Sequence, residues 1–227
     1  MTLKEFFKEL NGNRVEGELI KTVFYSLLTS FVLLGIFYFF KLKYIGDFVP
    51  KYGLFLVFSA LGYSLILLPI RQVRAYANLP CMSGMMVGMT TGTISGFLPG
   101  FFIASTNGMF IGGVFGMVIG IGIGIWTGKC CGIMGVMEGI MAGFMGGLMG
   151  AMSAFMLLND NLKIATFVLF FISAVILIGL NYMVYKEMKN EERKLIEDHS
   201  LTIILTFILV IVTVLLMVFG PRSGVFG

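Results

Sequence analysis

Long uninterrupted apolar stretches, bounded by charged residues, Pro or Asn, alternate along the chain with short polar segments. A helix needs roughly 20 apolar residues to cross the hydrocarbon core of a bilayer. Strands of a membrane β-barrel would alternate apolar and polar residues over about ten positions, whereas these stretches are continuous. The sequence therefore predicts an all-α integral membrane protein, a bundle of about seven transmembrane helices, over about 22–40, 52–70, 82–103, 108–127, 132–158, 164–185 and 201–219.

The chain begins with a short segment of mixed polarity, residues 1–19, before the first long apolar stretch. Its apolar side chains recur at helical spacing with charged side chains opposite, a pattern typical of a helix that lies in the membrane interface. We expect a cytosolic amphipathic segment over 1–19, with a partly ordered tail as the alternative, and a single transmembrane domain over 20–227. The apolar positions of the segment are Leu3, Phe6, Phe7 and Leu10.

Composition agrees with a membrane protein, since 58% of the residues are hydrophobic and 12% are charged. A soluble domain carries about 25% charged residues, so soluble enzymes, disordered chains and nucleic-acid-binding proteins are excluded. Lys and Arg concentrate on the cytoplasmic loops of membrane proteins. With the predicted spans, eleven of the 16 Lys and Arg fall on the N-terminal side and five on the other. This predicts a cytosolic N-terminus and a C-terminus outside.

The middle third of the chain differs from both ends, because 13 of the 17 Met and most of the 30 Gly lie between Met82 and Met156. Gly recurs at every fourth position in predicted spans three, four and five, and such stripes let helix backbones approach closely. We expect an inner Gly/Met-rich three-helix core wrapped by the other four helices, with span three bending or ending near Pro99. The stripes can alternatively pair with a second copy of the chain. They comprise Gly84, Gly88, Gly92, Gly96 and Gly100, then Gly108, Gly112, Gly116, Gly120, Gly124 and Gly128, then Gly135, Gly139, Gly143 and Gly147.

Met side chains form a second pattern on the same spans. In span five they recur every three or four residues, so that at about 100° per residue they share one helix face, opposite the Gly stripe. Span three repeats the pattern over a shorter length, and Glu138 projects from the Met face of span five. The Met residues are Met82, Met85, Met86 and Met89 in span three, and Met134, Met137, Met141, Met145, Met149, Met152 and Met156 in span five.

The three cysteines of the chain begin the two Met-bearing spans, with Cys81 before span three and Cys130 and Cys131 before span five. Both spans run outward from the cytosol in the predicted topology, so we expect the thiols to gather at the cytosolic end of the bundle, where thiols remain reduced. Thiolate and thioether sulfurs are soft ligands that select Cu(I). Packing of flexible Met against Gly, and of Cys as a small apolar residue, is the alternative explanation.

Glu138 is the only acidic residue inside any predicted span. A carboxylate at membrane depth is costly, and such residues usually face a cavity or a partner. Glu138 can remain protonated between helices, pair with Lys129 or coordinate a cation, and the sequence leaves these roles open.

The segment Met141-x3-Met145, together with the stacked GxxxG spacing, is locally similar to the eukaryotic-type copper transporters, which use a membrane MxxxM and a GxxxG packing motif. Those proteins have three spans per subunit, a Met-rich outer domain and often a cytosolic Cys/His tail. This chain has seven predicted spans and neither appendage. The resemblance covers part of one helix and implies an analogy at most, with no residue role carried over.

The leading functional prediction is a membrane transporter or channel for a soft monovalent metal ion, above all Cu(I). Its two alternatives are a non-enzymatic packing or assembly subunit whose Gly stripes drive helix association, and a cation or proton channel centred on Glu138. No catalytic or nucleotide-binding pattern is found, so the sequence predicts no enzyme and no cofactor other than Cu(I). The candidate metal ligands are Cys81, Met82, Met85, Met86, Met89, Cys130, Cys131, Met134, Met137, Glu138, Met141, Met145 and Met149.

The expected partners follow from these patterns. The lipid bilayer surrounds the helices, and a second copy of the chain can associate through the Gly stripes. A cytosolic protein that delivers or accepts the metal would meet the cysteine end of the bundle. No nucleic acid is expected.

Overall fold

The computed structural model describes residues 15–40, 52–76, 80–188 and 200–221. These ranges contain seven α-helices and no β-strand, so the predicted all-α class is confirmed. A short 3-10 turn, Lys129–Cys131, connects the fourth helix to the fifth. The helices are α1 (Val15–Phe40), α2 (Leu54–Ala75), α3 (Cys81–Asn107), α4 (Met109–Gly128), α5 (Gly132–Met156), α6 (Leu162–Met188) and α7 (Ser200–Phe219).

Six segments of the described chain are long and apolar enough to cross a membrane, by their length and composition. Five of them each lie in a single helix, and the sixth is Met109–Met156, a 48-residue segment that contains α4, the 3-10 turn and α5. Six such segments indicate a multi-pass membrane protein. The predicted interfacial segment falls outside the described residues over positions 1–14, and positions 15–19 belong to α1.

α4 and α5 fold back on each other as an antiparallel hairpin, and α3 packs against both. Glycines lie where the three backbones meet. A Cβ atom added at Gly88 would lie 3.1 Å from Gly128 Cα and 3.5 Å from the carbonyl oxygen of Gly135. Near the other end, a Cβ atom at Gly100 would lie 2.8 Å from the carbonyl oxygen of Gly147. We call α3, α4 and α5 the glycine-packed unit, because their backbones approach each other at these positions within one chain.

The glycine-packed unit is not an inner core that four other helices wrap. The most buried apolar segments are α2 and α3, with 72% of the apolar window buried in each, against 39% for the α4–α5 segment. α2 packs against α1, α3, α6 and α7, while the α4–α5 hairpin rests chiefly on α3 at one side of the protein. The glycines occupy one buried face of α5, and the Met side chains of the opposite face are exposed.

On the other side of α3, large side chains and hydroxyl groups connect α1, α2, α6 and α7. The ring of Phe58 on α2 makes edge contacts with Phe167 and Phe170 on α6, at centroid distances of 4.7 and 5.1 Å. Thr213 on α7 donates a hydrogen bond to the hydroxyl of Tyr63 on α2 at 3.2 Å. These contacts join α2 to α6 and α7.

Of the two outcomes predicted near Pro99, a bend or an end of the helix, the end is wrong, since α3 continues to Asn107. Pro99 and the neighbouring Phe101 are buried, and membrane helices tolerate an internal Pro where other helices pack around it. α3 stops instead at Gly108, which has φ 117°. The Asn107 side chain donates a hydrogen bond to the carbonyl oxygen of Leu216 at 2.7 Å and so joins this end of α3 to α7.

Candidate functional site

The three cysteines lie together at one end of the glycine-packed unit, and we call them the thiol cluster. The Cys131 thiol donates a hydrogen bond to the carbonyl oxygen of Cys81 at 3.1 Å, although the two residues are 50 positions apart. The Sγ atoms of Cys130 and Cys131 are 3.6 Å apart. Cys81 Sγ lies 4.0 Å from the carbonyl oxygen of Cys131. All three cysteines are free thiols, and Cys81 and Cys130 are exposed.

The backbone between α4 and α5 explains where Cys130 and Cys131 lie. Both belong to the 3-10 turn rather than to α5. Gly132 follows with φ +68°, a conformation that favours glycine. The turn brings the thiols against the first turn of α3, where Gly84 has no side chain to exclude them. A Cβ atom at Gly84 would overlap the Sγ atoms of both cysteines.

The surroundings of Cys131 disfavour its thiolate form. Burial, followed by the neighbouring thiols of Cys130 and Cys81, raises the pKa of the Cys131 thiol to about 12. This thiol is therefore protonated at neutral pH. Because the thiolate is the form that binds soft metals, a metal bound to Cys131 displaces its proton.

The Met side chains of α5 continue away from the thiol cluster on the outer surface of the protein. Each is at least 47% exposed, whereas the glycines on the opposite face of the helix are buried against α3 and α4. A single copy of the chain thus presents an open line of thioethers rather than an enclosed channel. The exposed residues are Met134, Met137, Met141, Met145, Met149, Met152 and Met156.

The first turns of α3 carry the second Met face. Met82, Met86 and Met89 are exposed, and Met85 is half-buried. α3 and α5 run in parallel and in contact, as the pairing of Gly88 with the start of α5 and of Gly100 with its later part shows. Both Met faces therefore begin at the end of the unit that holds the thiol cluster.

Glu138 is half-exposed and lies between Met137 and Met141 along α5. It stands six residues after the start of the helix at Gly132, about 9 Å along the axis. Among the residues that the structure describes, Glu138 forms no hydrogen bond and no ion pair, with Lys129 or any other group. By its position along the helix, Glu138 shares the face of α5 that carries the Met residues.

Within the described ranges, no group of three or more His, Cys, Asp or Glu side chains is arranged to hold a metal ion. The sulfur atoms of Cys130 and Cys131 are in contact, while Cys81 approaches them through its backbone. Thioether sulfurs are also present at this end, and those of Met82 and Met134 belong to the most exposed Met residues there. The arrangement offers soft sulfur donors and no set of hard oxygen or imidazole ligands.

A hydroxyl pair that was not predicted from the sequence holds α3 to α4 near the thiol cluster. The buried side chains of Thr91 and Thr127 are hydrogen bonded to each other at 2.8 Å. The Cys130 thiol in turn donates to the carbonyl oxygen of Thr127 at 3.3 Å. A signal was present for Thr127, which is the one hydroxyl residue of predicted span four, whereas Thr91 is one of several hydroxyl residues in span three.

Comparison with protein-family models, curated proteins and solved structures finds no match to this chain.

Proposed function

We propose that this chain is a membrane transporter or channel for a soft monovalent metal ion, above all Cu(I). The observation that carries the proposal is the thiol cluster, in which cysteines from two distant parts of the chain meet. Two Met faces begin at the same end of the glycine-packed unit. Thiolate and thioether sulfurs are the ligands that select Cu(I), and Ag(I) follows by the same softness.

The proposal includes seven crossings of the membrane, with α4 and α5 crossing separately. A continuous helix over the 48 residues of Met109–Met156 would be about 72 Å long, more than twice the ~30 Å of the hydrocarbon core. The positive φ of Gly132 supports a reversal of the chain between the two helices. With seven crossings the two termini lie on opposite sides of the membrane.

The distribution of basic residues supports a cytosolic thiol cluster, and with it a cytosolic N-terminus and a C-terminus outside. In the described chain, five Lys and Arg residues belong to the same end of the bundle as the thiols, and one belongs to the other end. Cytoplasmic segments carry the excess of Lys and Arg in membrane proteins. The five are Lys21, Arg71, Arg74, Lys129 and Lys186, and the one at the other end is Lys163.

In this function the thiol cluster binds the ion at the cytosolic end, and the thioethers provide weaker successive sites across the membrane. Conduction requires sites that release an ion as well as bind it, which neutral thioethers do more readily than thiolates. Glu138 adds one negative charge or a proton acceptor to this line. The direction of movement follows from the gradient or from a partner that supplies or removes the ion.

A Cu(I) titration of the purified protein in detergent, under reducing conditions and against a competing chelator, tests the proposal. We expect stoichiometric binding by the wild-type chain and its loss in the variant with Cys81, Cys130 and Cys131 all replaced by Ser. Since the pKa of the Cys131 thiol is about 12, binding releases a proton at neutral pH. The apparent affinity should therefore rise with pH, by about tenfold per unit for each proton displaced.

Met188→Leu is the matched control, because Met188 is buried near the same end of the bundle and its sulfur is not exposed. This variant should bind Cu(I) as the wild type does. Binding that persists in the triple Ser variant, or an affinity that does not change with pH, would contradict a thiolate site.

Two alternative functions, an assembly subunit and a channel centred on Glu138, assign different roles to the glycine stripes and to Glu138. The glycine stripes meet each other inside one copy, which supports a role in intramolecular packing rather than in assembly between chains. A cation or proton channel centred on Glu138 is supported by the presence of this partly exposed acidic residue within the apolar helix α5. In that case Glu138→Gln would abolish conductance in liposomes, whereas replacing the cysteines would leave it unchanged.

A further inference from the structure

The three cysteines of the thiol cluster are not equivalent. The sulfurs of Cys130 and Cys131 are 3.6 Å apart and belong to one 3-10 turn. The sulfur of Cys81 has a backbone group as its hydrogen-bond acceptor, the carbonyl oxygen of Cys131 at 4.0 Å. Among the residues that the structure describes, no three cysteine side chains are arranged to hold one metal ion. The geometry therefore distinguishes a pair of sulfurs from a third cysteine.

The separation of the paired sulfurs suits a single bound centre. Two thiolates bound to one metal ion at about 2.3 Å, with a tetrahedral angle between the bonds, lie about 3.8 Å apart. The 3.6 Å between Cys130 Sγ and Cys131 Sγ is close to this distance. A linear arrangement would need about 4.6 Å, so the pair favours a bent one. A bent arrangement leaves other positions of the ion open to a further ligand, which movement along successive sites requires.

The first turn of α3 holds this pair of sulfurs in place. The Cys131 thiol donates to the carbonyl oxygen of Cys81 at 3.1 Å, and the backbone supplies this acceptor whatever side chain stands at position 81. Gly84 leaves the space that both sulfurs occupy, since a Cβ atom there would overlap both Sγ atoms. On the α4 side, the Cys130 thiol donates to the carbonyl oxygen of Thr127 at 3.3 Å. Both sulfurs are thus positioned before a ligand arrives, and the Cys81 side chain is not needed for this.

We propose that Cys130 and Cys131 form a chelating dithiol site for a thiophilic centre, a soft metal ion or a trivalent metalloid, and that Cys81 positions this site through its backbone carbonyl without being a ligand. The inference rests on the proposed function for Cu(I) as the ion that is carried, whereas the dithiol site itself does not. Two linked thiolates bind such a centre more tightly than either does alone, because the second bond forms within the molecule. Cys130 is exposed, so the centre reaches the pair from the surface of the protein.

Phenylarsine oxide tests the dithiol site without any metal ion, because its As(III) centre bridges two neighbouring thiols. Two As–S bonds form as the As–O bond breaks, the two thiol protons leave with the oxygen as water, and no atom changes its oxidation state. Intact-mass measurement of the reduced full-length chain in detergent counts the bridged centres, after excess monothiol has removed singly bound arsenic. We expect one bridged centre per wild-type chain, which a small dithiol releases.

Single Cys→Ser variants of the three cysteines are matched controls for one another, because each removes one thiol and keeps a side chain of similar size. Cys81→Ser should retain the bridged centre, whereas Cys130→Ser and Cys131→Ser should each lose it. Cys81→Ala should behave as Cys81→Ser does, since both variants keep the backbone carbonyl. Loss of the centre in both variants of Cys81, its retention in Cys130→Ser or Cys131→Ser, or its absence from the wild-type chain would overturn the proposal.

The Cu(I) titration of the same variants separates this inference from the proposed function. We expect Cys81→Ser to bind Cu(I) with nearly the wild-type affinity, and Cys130→Ser or Cys131→Ser to lose about 100-fold or more, the usual gain from a second linked ligand. Bridged arsenic without Cu(I) binding would remove the proposed function and leave the dithiol site standing. Cu(I) binding that all three single variants weaken equally would do the reverse.

Discussion

Two parts of this protein pack their helices in opposite ways. In the glycine-packed unit the backbones themselves are in contact, so that a Cβ atom at Gly120 would lie 2.8 Å from Gly96 Cα and 2.9 Å from Gly143 Cα. In the part formed by α1, α2, α6 and α7, side chains such as Phe58 fill the space between helices. The first part is sensitive to added atoms and the second to removed atoms. Substitutions that grow or shrink a side chain should therefore separate the two.

The largest effect is expected from Gly120→Ala on α4. The added methyl group would meet the backbones of both α3 and α5, which cannot move aside as a flexible side chain can. We expect a loss of about 3 kcal/mol of stability, at the upper end of typical overpacking costs. Thermal unfolding in detergent, followed by size-exclusion chromatography, measures this change.

Gly122→Ala on the same helix is the control, because a Cβ atom at Gly122 meets nothing within 4 Å. Replacement of a helical Gly by Ala at an open position should raise stability by up to about 1 kcal/mol. Equal effects of the two substitutions would mean that backbone contact does not hold the unit together.

A smaller effect is expected from Phe58→Ala on α2. The substitution removes the ring that packs between Phe167 and Phe170 and leaves a cavity. Because Phe58 is partly buried, we expect a loss of about 2 kcal/mol, below the range for a fully buried Phe. The exposed Phe171 provides the comparison, and Phe171→Ala should change the unfolding temperature little. A large effect at Phe171 would place that side chain in a contact between copies instead of in lipid.

The smallest effect is expected from Tyr63→Phe, which removes the acceptor of the Thr213 hydrogen bond. The single hydroxyl proton of Thr213 is shared with the carbonyl oxygen of Leu209, which remains as its acceptor after the substitution. Hydrogen bonds between membrane helices contribute about 0.6 kcal/mol on average. Unfolding of the single variants and of Tyr63→Phe/Thr213→Val should show a double effect smaller than the sum. Strict additivity would mean that the bond contributes nothing.

Sequence periodicity predicts a helix face well but does not predict what that face contacts. The opposite placement of Gly and Met on α5 follows from their spacing, and the structure has the Gly face buried and the Met face exposed. The burial of α2 was not predictable in this way, because its apolar residues, unlike those of a striped helix, cover most of its circumference. Composition therefore suggested an inner Gly/Met core, while the actual centre is formed by α2 and α3.

The sequence predicts which residues of the candidate site lie together. It does not predict their backbone conformation or the direction of their side chains. A topology with Cys81 and Cys131 at the starts of two parallel helices is enough to bring them to one end of the bundle. The sequence does not reveal that Cys130 and Cys131 occupy a 3-10 turn, because this depends on the positive φ of Gly132. The absence of an ion pair between Glu138 and Lys129 in the described chain depends likewise on the direction of each side chain.

The hydrogen bond between Cys131 and Cys81 spans 50 residues of chain, and this separation has a consequence for biosynthesis. A ribosome that has just completed α3 has made one thiol, and the other two are added only after α4 has been synthesised. The cluster therefore comes into being when the α4–α5 hairpin closes on α3, and an immature chain cannot hold an ion between these sulfurs. The site therefore forms only once the glycine-packed unit has assembled.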